Sequence, residues 1–361
     1  VKLERIAVLG AGGFLGSHLV PGLIERFGCE VDAVDIDFEK LECADPRIRR
    51  ICARVEDTAV MREVTSRSRV VLSLTALCNP AQYSTIPLQV IDANFTHLMP
   101  LVNLCAEREV RLIHFSTAEV YGRRALDGAG DPTAEMSEDS SCFLMGPVNR
   151  ERWTYACAKQ LLERVIWAHG QHGRLPFTII RPFNTIGPRM DFVPGIDGEG
   201  TPRVLACFMA QLLRGEPLQL VDGGTQKRAF MSAQDMVEAV CRVVDRPTAC
   251  NGEIFNLGNP HNNLSIAELA MELARVFADI VPGQPAARFE HVSAADFYGP
   301  GYDDTNERIP DVSKARRLLG WQPSESLTDM LPGIVANYVH RYGSRIAAER
   351  PAQLRQRASS E

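Results

Sequence analysis

The 361-residue chain reads as an α/β protein: a doubly wound parallel sheet, then a smaller C-terminal α/β lobe. Three observations predict this. Short apolar runs alternate with amphipathic helical patterns through the first half, as in βα units whose sheet is covered on both faces. The first of those runs passes straight into a glycine-rich turn and a helix. After about residue 184 the alternation gives way to Gly/Pro/Asp-rich loops and shorter elements. Apolar content of 45% and charged content of 23% are ordinary globular values, and the length exceeds one small domain. A net charge of −6 offers no basic handle for nucleic acid or an anionic membrane. No apolar run approaches the roughly 18 residues of a membrane span, so the chain reads as cytoplasmic. Its ten cysteines are scattered, with no zinc spacing, and read as mostly buried thiols.

The elements follow in order. Residues 5–9 are apolar and precede Gly10-Ala11-Gly12-Gly13-Phe14-Leu15-Gly16, after which a helical pattern runs over 17–27. Glycines at 10, 13 and 16 suit a tight turn that lets backbone approach a pyrophosphate at the helix N-terminus. A second strand, 31–35, ends on Asp35, near the spacing at which an acid binds an adenosine ribose diol and favours NAD over NADP. Asp37 is a possible substitute. A strand at 49–53, a helix at 59–66 and a buried strand at 70–74 come next. One long helix is expected over 88–108, then a strand over 110–115. Ser116-Thr117-Ala118-Glu119 stands at that strand's carboxyl end, where ligands bind in such sheets. Residues 122–147 form a Gly/Pro/Ser-rich excursion of the kind that covers sites.

A helix from about 152 to 169 then carries Tyr155 and Lys159 one turn apart on one face. An ammonium beside a phenol favours the phenolate, a base for a sugar hydroxyl. Such a pair alone is common, and its weight comes from the glycine turn before it. A strand at 177–180 leads into Arg181-Pro182-Phe183-Asn184. Residues 1–184 therefore read as the dinucleotide-binding domain and 185–342 as mainly a substrate lobe, with segments near 220–260 returning to the first core. The lobe holds helices at 204–214, 235–244 and 265–277, strands near 218–221 and 254–258, and a loop at 296–311. Arg189, Arg203 and Arg228 suit phosphates or a carboxylate. Residues 343–361 read as a flexible polar tail.

Taken together, Gly10/Gly13/Gly16, Asp35, Ser116-Thr117, Tyr155/Lys159 and Arg181-Pro182-Phe183-Asn184 resemble the extended short-chain dehydrogenase/reductase family with its Rossmann domain. Asn149 to Leu161, Asp222 to Arg228, Gly187 to Gly198 and Phe297 to Asp304 are similar to its nucleotide-sugar branch. They look like members that act on UDP-glucuronic acid: the UDP-apiose/UDP-xylose synthases and the decarboxylase domain of the bifunctional polymyxin-resistance protein. The resemblance implies NAD held by Gly10, Gly13, Phe14, Leu15, Gly16, Asp35, Asn94, Tyr155, Lys159 and Pro182. It implies a UDP-sugar held by Asn149, Asn184, Arg189, Arg203, Arg228 and Tyr298. Catalysis falls to Thr117, Glu119, Tyr155, Lys159 and Arg228, with Cys78 matching a cysteine of the apiose synthases. The implied chemistry is C4 oxidation, loss of C6 as CO₂, then release, reduction or rearrangement of the ketopentose. Ala118 departs from the serine or cysteine of those relatives, and Thr185 from their tryptophan. A nucleotide-sugar 4-epimerase or dehydratase therefore stays open, as does a non-catalytic NAD-sensing protein. The resemblance also implies a homodimer, which Leu161, Leu162, Val165 and Ile166 fit as well as they fit a core stripe.

Overall fold

The computed structural model describes residues 3–123, 135–141, 144–298 and 305–358. Much of the 122–147 excursion and residues 299–304 of the aromatic loop thus lie outside the described residues. Strands β1 (Arg5–Leu9), β2 (Glu30–Asp35), β3 (Ile48–Cys52), β4 (Val70–Ser73), β5 (Arg111–Phe115) and β6 (Phe177–Pro182) join Glu253–Leu257 in one sheet. Its order from one edge is Glu253–Leu257, β6, β5, β4, β1, β2, β3, every pairing parallel. Strand order reverses beside β1, so a crevice opens there at the carboxyl ends. Helices α1 (Phe14–Phe27) and α7 (Ala233–Asp245) cover one face; α2 (Thr58–Arg67), α4 (Met99–Glu107) and α5 (Thr154–His172) cover the other.

The long helix expected over 88–108 is broken. Helix α3 (Pro87–Asn94) ends at Phe95, with φ −139° and ψ −67°, and a 3₁₀ turn, Thr96–Leu98, leads into α4. Pro100 in the first turn of α4 is the cause: it has no N–H to donate and its ring crowds the preceding turn. Apolar periodicity runs through the break and hides it.

The second lobe is built on α6 (Val204–Arg214), Ile266–Ile280 and Leu327–Ala358. Ser265 and Glu268 close a reciprocal capping box that starts the middle one. Leu205, Phe208, Met209 and Leu212 of α6 are buried, each contributing about 1.5–3 kcal/mol relative to exposure. The strand Glu253–Leu257 pairs with β6 and α7 packs on α1, so residues 231–257 lie in the first core, while Leu220 and Phe230 stay with the lobe. Val312, Ala315, Leu319 and Trp321, which sequence reading left in the lobe, also join the first core. The expected tail after Tyr342 is instead helical to Ala358. Tyr338, Tyr342 and Ile346 recur at four-residue spacing and are buried, an apolar stripe diluted by polar neighbours. Among the described residues, no helix is long and apolar enough to cross a membrane.

Candidate active site

A cleft of about 430 Å³ opens at the carboxyl ends of the central strands, walled by the sheet on one side and the lobe on the other. Gly10, Gly13, Phe14, Leu15 and Gly16 form its floor. Gly10 adopts φ +81°, and a Cβ there would lie 3.0 Å from the Thr75 amide. At Gly16 a Cβ would meet the Gly10 carbonyl at 2.2 Å, so α1 approaches the turn only without one. Gly13 caps α1 with no side chain, leaving the first amides of a 14-residue helix to face an anion. Gly12, absent from the expected set, is equally constrained: its Cβ would stand 1.7 Å from the Asp37 carbonyl. Spacing alone does not separate it from its neighbours.

Asp35, half-buried at the tip of β2, accepts hydrogen bonds from the amides of Gly12 (2.8 Å) and Ile36 (2.7 Å). That puts a carboxylate beside the glycine turn, where a ribose diol binds. Asp37 accepts from the Glu39 amide and serves its own turn. In the cleft wall, the buried Ser116 Oγ has no partner among the described residues. A Cβ-free cradle, open helix amides, an acid at the second strand and an orphaned hydroxyl fit a dinucleotide.

Tyr155 and Lys159 line the cleft one turn apart on α5. Tyr155 is buried, stacks on Tyr83 with centroids 5.0 Å apart and hydrogen-bonds with Thr117. Thr117 also accepts from the Glu119 amide (3.2 Å), which fixes its rotamer. Lys159 Nζ donates to the Phe115 carbonyl (3.0 Å). Spacing alone predicts that the ammonium draws the phenol down. Burial outweighs that: it pushes Tyr155 well above the usual tyrosine range, aided by Cys78 and Glu119, while the Thr117 hydrogen bond pulls the other way. Burial lowers Lys159 to about 8.

Opposite this pair stands Glu119, gripped by both Nη atoms of Arg152 at 2.5 and 2.9 Å, with Arg308 at 3.5 Å. Arg152 also lies 5.4 Å over the Tyr83 ring. Arg228 sits on Lys227–Ala229, directly beside Arg308 on the paired strand Glu307–Arg308, and donates to the Lys227 carbonyl (2.7 Å). Of these two arginines it is Arg308 that the Glu119 carboxylate meets. Arg152, Arg308 and Tyr83 were missed as site residues. Arg152 lay in plain view beside Tyr155, whereas Arg308 arrives from a segment without periodicity.

The cleft also includes Cys78, Pro182, Asn184, Arg203 and Tyr298. Cys78 is exposed and shares the wall with Tyr155 and Lys159. Arg203 is oriented by Asp191 (3.2 Å) and covers the Phe14 ring. Ala118 and Thr185 are buried in the same wall. Four expected residues do not line it: Asp35, which meets the back of the glycine turn, and three others. Asn94 is fully buried and donates to the Leu77 and Val90 carbonyls, supporting the loop that carries Cys78. Asn149 is exposed, before α5. Arg189, at φ +61°, turns away to Glu42 and Ser17. Of the dimer candidates on α5, Leu162 and Ile166 are core residues and Val165 packs beside them; Leu161 points outward.

The chain is 43% identical over 348 residues to the UDP-D-apiose/UDP-D-xylose synthase of Oryza sativa subsp. japonica, covering 90% of this chain and 87% of that one. It is 43% identical over 356 residues to UDP-D-apiose/UDP-D-xylose synthase 1 of Arabidopsis thaliana, covering 93% and 91%. Among solved structures it superposes on the PbgP3 protein from Burkholderia pseudomallei with a TM-score of 0.82 at 32% identity, covering 97% and 99%. The UDP-glucuronic acid 4-epimerase from Bacillus cereus, in complex with UDP-glucuronic acid and NAD, shares the fold at a TM-score of 0.75 and 22% identity, covering 94% and 100%. Residues 6–258 match the family described as NAD dependent epimerase/dehydratase, and to that family this chain belongs.

Proposed function

We propose that this chain is an NAD-dependent UDP-glucuronic acid decarboxylase of the UDP-apiose/UDP-xylose synthase type. The observation that carries the reading is a single cleft holding Thr117, Tyr155 and Lys159 against the Glu119–Arg152–Arg308 cluster and Arg228. The 43% identity to synthases of that name across nine-tenths of the chain supports it. Gly10, Gly13, Phe14, Leu15, Gly16 and Asp35 are assigned to the cofactor. When bound, NAD⁺ supplies the hydride acceptor at C4. Thr117 orients the 4-hydroxyl and Tyr155 takes its proton, with Lys159 supplying positive charge beside the phenol. A ketone at C4 is β to the C6 carboxylate. As CO₂ leaves, the C5–C6 electron pair moves into the carbonyl, and cationic groups stabilise the enolate. Arg228 meets the carboxylate, and Glu119, held by Arg152, exchanges the proton at C5. Arg203, Asn184 and Tyr298 are assigned to the nucleotide-sugar.

A 4-epimerase is the second reading, favoured by the hydroxyl-free Ala118 and by Thr185 in the cleft wall. We further propose a homodimer through α3 and α5, which pack on each other and present Leu88 (75% exposed), Ile91 and Leu161 outward. Incubation with NAD⁺ and UDP-glucuronic acid tests the main reading. A product lighter by CO₂ supports it, its ring then distinguishing ketopentose, xylose and apiose. An isomer of unchanged mass supports the epimerase.

A further inference from the structure

Behind the Tyr155/Lys159 pair, α5 carries a third polar side chain at the same four-residue spacing. Glu163 (5% exposed) meets Arg181 of β6 (3% exposed) in a two-pronged ion pair, Nε–Oε1 3.0 Å and Nη2–Oε2 2.7 Å. The remaining Nη1 of Arg181 donates to the Tyr121 hydroxyl (2.8 Å), which donates to Asn256 Oδ1 (2.8 Å). Asn256 is fully buried, and its own amides are fixed by Glu138 Oε1 and the Met136 carbonyl. No step of the proposed reaction uses any of these groups. Stability does not account for the pair either, because a buried ion pair is often replaced by apolar side chains without loss.

Its surroundings give it a task. Around the Lys159 ammonium stand the Phe115 carbonyl at 3.0 Å, Glu163 one turn further along α5, His114 from β5 and Cys78 from the loop after β4, with Arg181 of β6 behind Glu163. Helix α3, packed on α5, adds no group that acts on it. His114 is fully buried and held neutral. Glu163 is therefore the carboxylate set one turn from the ammonium, and Arg181 both fixes and offsets its charge. We propose that Glu163 and Arg181 are positioning residues: Glu163 keeps Lys159 protonated for its work beside Tyr155, and Arg181, locked by Tyr121 and Asn256, holds Glu163 in place. The consequence for turnover rests on the proposed function; the effect on Lys159 does not.

The test reads the titration of Lys159 directly, by acetic anhydride labelling of the holoenzyme across pH with peptide mass spectrometry. Charges one helical turn apart at an effective dielectric of about 20 interact enough to move a midpoint by about one pH unit. Glu163→Gln removes the anion and strands the guanidinium, so the midpoint falls by about that much. Arg181→Met leaves the anion alone, so the midpoint rises. The double variant returns close to the parent. A merely structural pair would move neither midpoint, or both in one direction, and either result overturns the proposal. Should Glu163→Gln not fold, the absence of a rise in Arg181→Met overturns it equally. In parallel, the alkaline limb of UDP-glucuronic acid turnover shifts with the labelling midpoint. If the parent protein does not turn that sugar over, the functional reading fails while labelling still decides the pairing.

Discussion

Replacing Tyr155 with phenylalanine removes one oxygen from a site whose packing the change leaves intact. The ring is buried and stacked on Tyr83 at an interplanar angle of 13°, and phenylalanine keeps both contacts. What is lost is the hydrogen bond with Thr117, a net effect of about 1 kcal/mol on stability. The expected fall in melting temperature is therefore only a few degrees for a chain of this size. Cofactor affinity should change by less than about threefold, because the glycine turn and Asp35 are untouched. The reaction, by contrast, loses its base, which is worth about 10²–10⁴ in rate. Stopped-flow absorbance of the nicotinamide after mixing with UDP-glucuronic acid measures the first oxidation, and calorimetry measures NAD⁺ binding. Oxidation within tenfold of the parent, with cofactor binding intact, would refute the assignment of Tyr155 as the base.

Gly16→Ala forces a Cβ to within 2.2 Å of the Gly10 carbonyl and should weaken NAD⁺ binding by roughly tenfold to a hundredfold, the equivalent of overpacking by about 1–3 kcal/mol. Gly28→Ala, at φ +62° with no atom within 4 Å, should cost about 1 kcal/mol of stability and leave NAD⁺ binding unchanged; equal effects on binding would remove the special role of the turn. Lys159→Met should raise the melting temperature near pH 7. The folded pKa of about 8 lies below the unfolded value, so the burial penalty is fully present below pH 8 and fades as pH rises towards the unfolded pKa. The gain at pH 7 is about 2 kcal/mol after losing the Phe115 hydrogen bond, shrinking by pH 10; a lower melting temperature at pH 7 contradicts this. Arg228→Ala should slow CO₂ release at least tenfold while changing the substrate Kd by less than about threefold. Equal losses in single-turnover rate and Kd would make Arg228 a binding residue only.

The sheet, the glycine turn, Asp35 and the Tyr155 helix were legible because each depends on local chemistry: apolar runs, backbone freedom and four-residue spacing. What escaped depends on contacts far apart in sequence. Gly12 is constrained by the backbone at Asp37, across the end of β2. Arg308 reaches Glu119 only through the pairing of Glu307–Arg308 with Lys227–Ala229. Asn94 was expected at the cofactor, but the break at Phe95 leaves it buried against the Leu77 loop. Arg189 looked suited to a phosphate by charge alone, yet its left-handed backbone aims it at Glu42. The helix beyond Tyr342 was hidden because a single narrow stripe of Tyr338, Tyr342 and Ile346 seats it.

The most direct test of the central claim follows carbon 6. UDP-glucuronic acid labelled with carbon-13 at C6 is incubated with the protein and NAD⁺ under NMR observation, with Tyr155→Phe alongside. The account predicts that the label leaves the sugar and appears as bicarbonate and CO₂ with the parent protein, and stays on the sugar with the variant. Label retained on a sugar epimerised at C4 would contradict decarboxylation and make the chain a 4-epimerase.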